Sequence, residues 1–407
     1  MPLQQDSLAR RAACFGLLAA ASSGPGQTYF IGLFGAFMRQ DFALSDAALG
    51  VIYGIATLAS GVLMFWLGAL ADRVALRRAI SLAVFLVVAG CVLVAFAAGP
   101  LSLCVGLFLL RLGGQGLAGH FAIVAAARHS GIRRGRGVAT ATLGFLLGEA
   151  LYPLLVIAAL EVADWRTVWL LAALMLLIAF VPALRYLASR LPLPDPSTAP
   201  GHTEDDVDWN RRKLAVSAPF LSILGVVLVP GFVVTAVFFH QAPLAERLGW
   251  ALPAVAQAFI LYAVCQGIAT LFVGRLVDRR SARTLVPVYL LPLAAGLLAL
   301  LVAPPSIALW LTFAGLGAAA GSNSVIGGAI WIEVFGSRKL GLVRGMYAAI
   351  MVTMTAFSPV LLGILLSGGA SLAAIFLPVI AYAVIAPILL APLTHQRHEV
   401  RNAKPPS

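Results

Sequence analysis

The stretch GALADRVALRR occupies residues 68–78, and a shorter version of it, GRLVDRRSAR, occupies residues 274–283. Each copy closes a long apolar run, and each places a glycine, an aspartate and an arginine at the same spacing. Two copies of one motif, about half a chain apart, indicate an internal repeat. The sequence therefore predicts two similar halves.

Prolines support the same repeat. Pro153 and Pro359 are separated by as many residues as the two motif copies, and Pro25 and Pro230, each followed by a glycine, differ from that spacing by one residue. All four prolines lie inside apolar runs. The repeat therefore extends over the length of the chain and is not confined to the motif.

Composition indicates a membrane protein. Of the 407 residues, 61% are hydrophobic and 11% are charged, whereas soluble domains carry about 25% charged residues. These values exclude a cytosolic enzyme, a disordered scaffold and a secreted disulfide domain. The net charge of +12 would suggest nucleic acid in a soluble chain, but the basic residues fall in short loops between apolar runs, so we expect no nucleic-acid partner.

The cysteines carry no metal-binding pattern. They lie inside apolar stretches and lack CxxC spacing, and they are Cys14, Cys91, Cys104 and Cys265. We expect buried free thiols and neither a metal site nor a cofactor.

Long apolar runs predict the membrane crossings. A hydrocarbon core of about 30 Å requires roughly 20 apolar residues per helix. Twelve runs meet this requirement, at residues 12–37, 47–71, 79–98, 101–127, 137–160, 166–187, 214–239, 252–276, 284–303, 306–332, 342–367 and 370–393. The runs are too long and too uniformly apolar for barrel strands. We therefore predict an all-α membrane protein with twelve transmembrane helices.

Loop charges predict the orientation and the domains. Nearly all of the 28 Lys and Arg residues fall on one side if the N-terminus is cytoplasmic, and only Arg39, Arg166 and Arg247 fall in loops on the other side. We expect both termini in the cytoplasm. Residues 188–213, with four prolines and an acidic cluster, predict a solvated linker between six-helix bundles at 1–187 and 214–407.

These features resemble a known family. GALADRVALRR resembles the G-x-L-x-D-R-x-G-R-R signature of the major facilitator superfamily, with Ala75 and Leu76 departing from it, and the family repeats this signature where GRLVDRRSAR lies. The run that begins at Arg111 looks like the family's R-x-x-x-G motif, and Asp164-Trp165-Arg166 is similarly typical. The resemblance implies two six-helix bundles in the major facilitator fold and a monomeric secondary transporter that alternates access by rocking its halves.

The repeated motif predicts a conformational latch. By the resemblance, this loop holds one of the two rocking states, although a simple topology signal is the alternative. The candidate latch residues are Gly68, Asp72 and Arg73 in the first copy and Gly274, Asp278 and Arg279 in the second.

Arg111 and Glu149 are the sharpest candidates for function. Charges in mid-bilayer face the protein interior and have partners. Both residues lie at matched depths in the fourth and fifth runs, so we expect an ion pair that lines a central cavity. In this reading Glu149 takes up a proton and Arg111 faces an anionic group; the alternative is a static salt bridge that holds two helices in register.

Other polar residues add substrate candidates. In the first run, proline and glycines at residues 24–26 interrupt helical hydrogen bonds, which makes Gln27 and Tyr29 plausible contacts; a kink for rocking is the alternative. Weaker candidates are Tyr262, Gln266 and Asn323. We expect His240 and Gln241 at the outer surface.

The substrate class stays open between alternatives. Residues 331–345 and 355–359 resemble bacterial monocarboxylate and oxalate/formate-type members of the superfamily, which implies a small organic anion as substrate. We expect the proton gradient to drive its transport, and a composition rich in Ala, Leu, Arg and Gly, typical of a GC-rich bacterium, indicates the inner membrane. A proton-driven drug or metabolite exporter is the alternative. A sensor or a membrane-embedded enzyme is a remote alternative, since neither a signalling extension nor a catalytic motif is found. The sequence also lacks the phosphate-binding loop that ATP hydrolysis would require.

Overall fold

A computed structural model describes residues 2–68, 70, 74–129, 134–192, 211–336 and 340–394, and this part of the chain consists of helices and the turns and loops that connect them. The first half of the sequence forms α1 (Pro2–Ser22), α2 (Thr28–Gly32), α3 (Gly35–Asp41), α4 (Asp46–Leu67), α5 (Leu76–Ala95), α6 (Pro100–His129), α7 (Arg134–Leu160) and α8 (Trp165–Ser189). The second half forms α9 (Arg211–Ala215), α10 (Ala218–Phe239), α11 (Gln241–Leu248), α12 (Leu252–Arg280), α13 (Ala282–Leu285), α14 (Leu291–Val302), α15 (Pro305–Phe335), α16 (Leu340–Ser367) and α17 (Leu372–Thr394). The predicted linker falls mostly outside the described residues.

Ten helices in the described part are long and apolar enough to cross a membrane. Two predicted crossings are broken instead. The run at 12–37 divides into α1, a 3₁₀ turn at Gly24–Gly26, α2 and α3, as expected from a proline that removes a backbone donor. The run at 284–303 divides into α13, a turn and the twelve-residue α14; Pro287 lies in that turn and Pro292 in the first turn of α14. Ten of the twelve predicted crossings are thus long helices, and the count of twelve transmembrane helices stays a prediction.

Two helix pairs join the halves of the chain. α4 packs along α16, and α7 packs along α12. In the predicted repeat, α4 corresponds to α12 and α7 corresponds to α16. The repeat therefore maps one of these contacts onto the other, which is the arrangement that two similar halves facing each other produce.

The α4–α16 contact is tight at one end only. A Cβ added to Gly50 would lie 2.7 Å from the Pro359 carbonyl oxygen, and one added to Gly363 would lie 2.5 Å from the Asp46 carbonyl oxygen. Small residues permit this close approach of two backbones. We call this the closed end. A Cβ added to Gly345, near the other end of α16, would meet nothing within 4 Å, and we call that end the open end.

The thiols are free, as predicted for the four cysteines, but their burial differs. Cys91 is buried and Cys14 is exposed, so the expectation of burial is wrong for Cys14. The residue lies on a face of α1 that points away from the neighbouring helices, and an apolar side chain is free to face lipid there.

Candidate functional site

A cavity of about 670 Å³ lies between α4, α6 and α16. Its walls are mainly apolar, and it occupies the half of the molecule in which α4 and α16 separate toward the open end. Its polar lining residues are Thr57, Ser60, Arg111, Gln115, His120, Thr353 and Thr355. Within the described lining, Arg111 is the permanently charged side chain.

Arg111 is held by the broken first segment. Its side chain is 1% exposed, and Nη1 donates to the Gly26 carbonyl oxygen at 3.0 Å and lies 3.5 Å from Thr28 Oγ1. Thr28 Oγ1 shares a 2.6 Å hydrogen bond with the Tyr53 hydroxyl, and the guanidinium carbon lies 5.1 Å from the centre of the Tyr53 ring. Thr28 and Tyr53 were not predicted from the sequence as part of the site, because neither residue belongs to a motif.

The guanidinium keeps unused donors. Nε and Nη2 of Arg111 are buried and have no hydrogen-bond partner. A buried donor without an acceptor costs about 1–3 kcal/mol, and more when the group is charged. The side chain borders the cavity, so an anion bound there would be attracted by an incompletely paired guanidinium.

The local backbone brings the first segment against α6. Residues Arg111–Ala118 form a π-helical stretch within α6, a feature that is frequent at functional sites. A Cβ added to Gly114 would lie 2.9 Å from the Cα atom of Gly26, so the two glycines allow the 3₁₀ turn to contact α6. This contact places the Gly26 carbonyl at the Arg111 side chain.

The expected ion pair between Arg111 and Glu149 is not formed, and that hypothesis is wrong for this state. Arg111 bonds to the first segment, and one carboxylate oxygen of Glu149 is buried without any partner. The physical reason is that the fourth and fifth crossings, α6 and α7, pack together along Gly119–His129, while α1 and the 3₁₀ turn pack against both helices near the two charges. Matched depth did not bring the side chains together.

Glu149 belongs to a second polar group, at the junction of the two halves. The phenols of Tyr29 and Tyr262 lie within electrostatic range of its carboxyl group. The neighbouring Gly148 admits the Tyr29 hydroxyl, which would lie 2.7 Å from a Cβ at that position. Gln241 Nε2 donates to the Tyr29 carbonyl oxygen at 2.9 Å. The structure thus brings together three predicted residues, Glu149, Tyr29 and Tyr262.

The remaining predicted contacts lie outside the cavity lining. Gln27 donates to Ser23 Oγ at 3.0 Å, and the Asn323 side-chain oxygen accepts from Tyr289 at 3.3 Å. The side-chain oxygen of Gln266 is buried without a partner. Substrate contact by these residues, in another state of the protein, stays a prediction.

The predicted latch is only partly described. Asp72 and Arg73 lie outside the described residues. Gly68 contacts its own helix through the Met64 carbonyl, and a Cβ added to Gly274 would meet nothing within 4 Å. Asp278 and Arg279 are exposed at the end of α12. The latch role therefore stays a prediction.

His240 and Gln241 are buried at the closed end, so their expected surface position is wrong. His240 is the single residue between α10 and α11, and the sharp corner there folds inward against α16. The His240 ring is 2% exposed; Nε2 lies 2.8 Å from the Pro359 carbonyl oxygen and Nδ1 lies 3.7 Å from Asp46 Oδ1. Arg39 pairs with the same Asp46 oxygen at 3.0 Å.

This fold and this cavity define a multi-pass membrane protein of the transporter type. The sequence matches the Major Facilitator Superfamily over residues 16–265 and again over residues 221–406. Since these matches span nearly the whole chain, the protein belongs to the Major Facilitator Superfamily. No curated protein matches the sequence.

Solved transporters share the fold at low identity. The nucleoside transporter NupG superposes with a TM-score of 0.70 at 14% identity, covering 96% of this chain and 100% of that one. A bacterial homologue of the human lysosomal transporter Spinster, inward-facing and occupied, gives a TM-score of 0.66 at 14% identity, with 96% of each chain covered. These likenesses show the fold.

Proposed function

We propose that this protein is a secondary active transporter that moves an organic anion by alternating access and couples the movement to protons. The observation that carries the proposal is the buried Arg111 guanidinium, which borders the cavity with two N–H groups unpaired. A planar guanidinium binds carboxylate or phosphate oxygens in a fork geometry. The substrate anion would supply the missing acceptors.

We assign twelve crossings in two six-helix halves, residues 1–187 and 214–407, joined by a linker at 188–213. The broken segment from α1 to α3 counts as one crossing, and α13 with α14 counts as another. Together with the ten long helices they complete the twelve. The repeat-related contacts α4–α16 and α7–α12 support this assignment.

We place both termini and the open end in the cytoplasm of a cell whose inner membrane holds the protein. The distribution of Lys and Arg among the loops supports this orientation. The described state is then inward-facing, which is also the state of the Spinster homologue that shares the fold. We expect a monomer.

Glu149 is the proposed proton site. One carboxylate oxygen is buried without a partner, and no described cation pairs with it. Burial of an unpaired charge is costly, and protonation removes that cost. Because Tyr29 comes from the first half and Tyr262 from the second, a change in the Glu149 charge acts on the contact between the halves.

Proton-driven export of a drug or metabolite is the second candidate. The mainly apolar walls of the cavity favour it over transport of a small hydrophilic solute. It uses the same fold and the same cavity, and it differs in direction. Flux measured in vesicles of both orientations, with the proton gradient imposed in each direction, separates uptake from export.

Arg111→Gln tests the anion site. In proteoliposomes we expect anion binding to weaken by at least ~2 kcal/mol, about 30-fold, because a buried charged contact is lost. Arg185→Gln is the matched control, since the exposed Arg185 bonds to Ser81 away from the cavity. Equal anion affinity in wild-type and Arg111→Gln protein would refute the proposal.

A further inference from the structure

We infer that the cavity takes a single-chain amphiphile, with an anionic headgroup at Arg111 and an apolar chain that leaves sideways between α4 and α16 into the bilayer. The inference rests on the proposed anion site and adds the class of substrate and its route. Three features support it: the position of the apolar wall, the gap between the two helices, and the charge of the lining.

The apolar wall includes side chains that face out of the protein. Phe65 and Trp66 border the cavity, yet they are 74% and 63% exposed. Val62 and Leu58, one and two turns earlier on α4, also border the cavity and are also exposed. A cavity bounded by outward-facing residues of a membrane helix is continuous with the surface that lipid covers. Its contents can therefore reach the bilayer without crossing the open end.

Small residues on α16 create the gap. Gly61 of α4 contacts the Val352 side chain, and beyond this contact the facing residues of α16 are Ala349, Ala348 and Gly345. None of these three carries a side chain larger than a methyl group. The separation runs from Gly61 to the end of α4 at Leu67, roughly 9 Å at 1.5 Å per residue. This length suits an alkyl chain passing between the helices.

The charge of the lining selects an anion. Among the described residues that border the cavity, none is acidic, and Arg111 supplies a fixed positive charge. The buried polar residues of the lining are Arg111, Thr57, Ser60 and Thr355, whereas its exposed residues are mostly apolar, with Gln115 and Thr353 as the exceptions. A headgroup and a chain match this division, and a small hydrophilic anion would leave the apolar side without a partner.

A chain-length series tests the inference. The protein in nanodiscs is titrated with n-alkanoates of four, six, eight and ten carbons below their micelle concentrations, and empty nanodiscs correct for partition into lipid. Each buried methylene contributes about 0.8 kcal/mol, so affinity should rise about fourfold per added carbon. Alkyltrimethylammonium ions of equal length should not compete. In Arg111→Gln protein, the preference for the anion should disappear while the dependence on chain length remains.

A blocked opening tests the route. Ala349→Phe places a ring in the gap and should abolish the gain in affinity from longer chains. Ala373→Phe is the matched control, because Ala373 is exposed on α17, away from the gap. Quenching of tryptophan fluorescence by a brominated decanoate should fall sharply in Trp66→Phe protein, which locates the chain.

The outcomes separate this inference from the proposed function. If short anions bind through Arg111 and affinity does not rise with chain length, the inference of an amphiphilic substrate is overturned, and the proposal of an anion transporter is not. If affinity rises with chain length but depends neither on the headgroup charge nor on the Arg111→Gln substitution, both proposals are overturned. A gain from chain length that survives Ala349→Phe would overturn the lateral route.

Discussion

Gly50→Ala should open the closed end. The added Cβ would lie 2.7 Å from the Pro359 carbonyl oxygen and 3.3 Å from the Val360 Cα atom. These atoms belong to the backbone, so the contact is relieved only if α4 moves away from α16. Overpacking of this kind costs about 1–3 kcal/mol. The cost falls on the state in which this end is closed, since separated helices leave room for the methyl group.

The population of the opposite state should therefore rise by about 5- to 150-fold relative to the described state. Spin labels on cysteines introduced at Ala43 and Ala373, on a cysteine-free background, report the distance across the closed end by double electron–electron resonance. The label positions lie in the loop before α4 and at the start of α17, one on each half. We expect Gly50→Ala to add a longer-distance population.

Gly345→Ala is the matched control for this experiment. It also replaces a helical glycine by alanine, and its Cβ would meet nothing within 4 Å. The intrinsic gain in helix propensity is the same at both sites. If Gly345→Ala shifted the distances as much as Gly50→Ala, or if neither did, the close contact would not determine which end is open.

Three further predictions follow from other contacts. Glu149→Gln should abolish proton-driven accumulation, measured as uphill uptake in proteoliposomes, and should leave substrate exchange intact, measured as counterflow. Glu161→Gln is the control, because Glu161 is exposed. Uphill transport by Glu149→Gln protein with an unchanged pH dependence would contradict the coupling role. His240→Ala removes the 2.8 Å contact with the Pro359 carbonyl and should lengthen the same spin-label distances, with unchanged distances as the contrary result. Trp169 is fully buried against Phe34, so Trp169→Ala should lower stability by about 3–5 kcal/mol, seen as a large fall in melting temperature that the more exposed Trp310→Ala does not produce.

The sequence predicts those features that depend on local chemistry. Long apolar runs must form helices because lipid offers no partner for backbone groups. Pro25 must interrupt the first helix because it lacks a donor, and the structure shows the break at that position. Pro287, which lies in the turn at residues 286–290, and Pro292, which follows it, could also have predicted this second break.

Features that depend on how helices are rotated against each other could not be predicted in this way. The run positions gave the depths of Arg111 and Glu149, but not the directions in which their side chains point. Their separation depends on where α1 packs, and no single helix specifies that. The burial of His240 likewise depends on the corner between α10 and α11, which lies against a helix more than a hundred residues later in the chain.

The broken first segment links the two polar groups. Its Gly26 carbonyl accepts a hydrogen bond from Arg111, and three residues later Tyr29 contributes its phenol to the group around Glu149. An intact helix would use the Gly26 carbonyl within its own hydrogen-bond ladder and leave Arg111 without this acceptor. An anion that draws Arg111 away from Gly26 therefore frees the turn that precedes Tyr29. Under the proposed function, this short stretch is the shared element through which substrate at Arg111 and a proton at Glu149 affect each other.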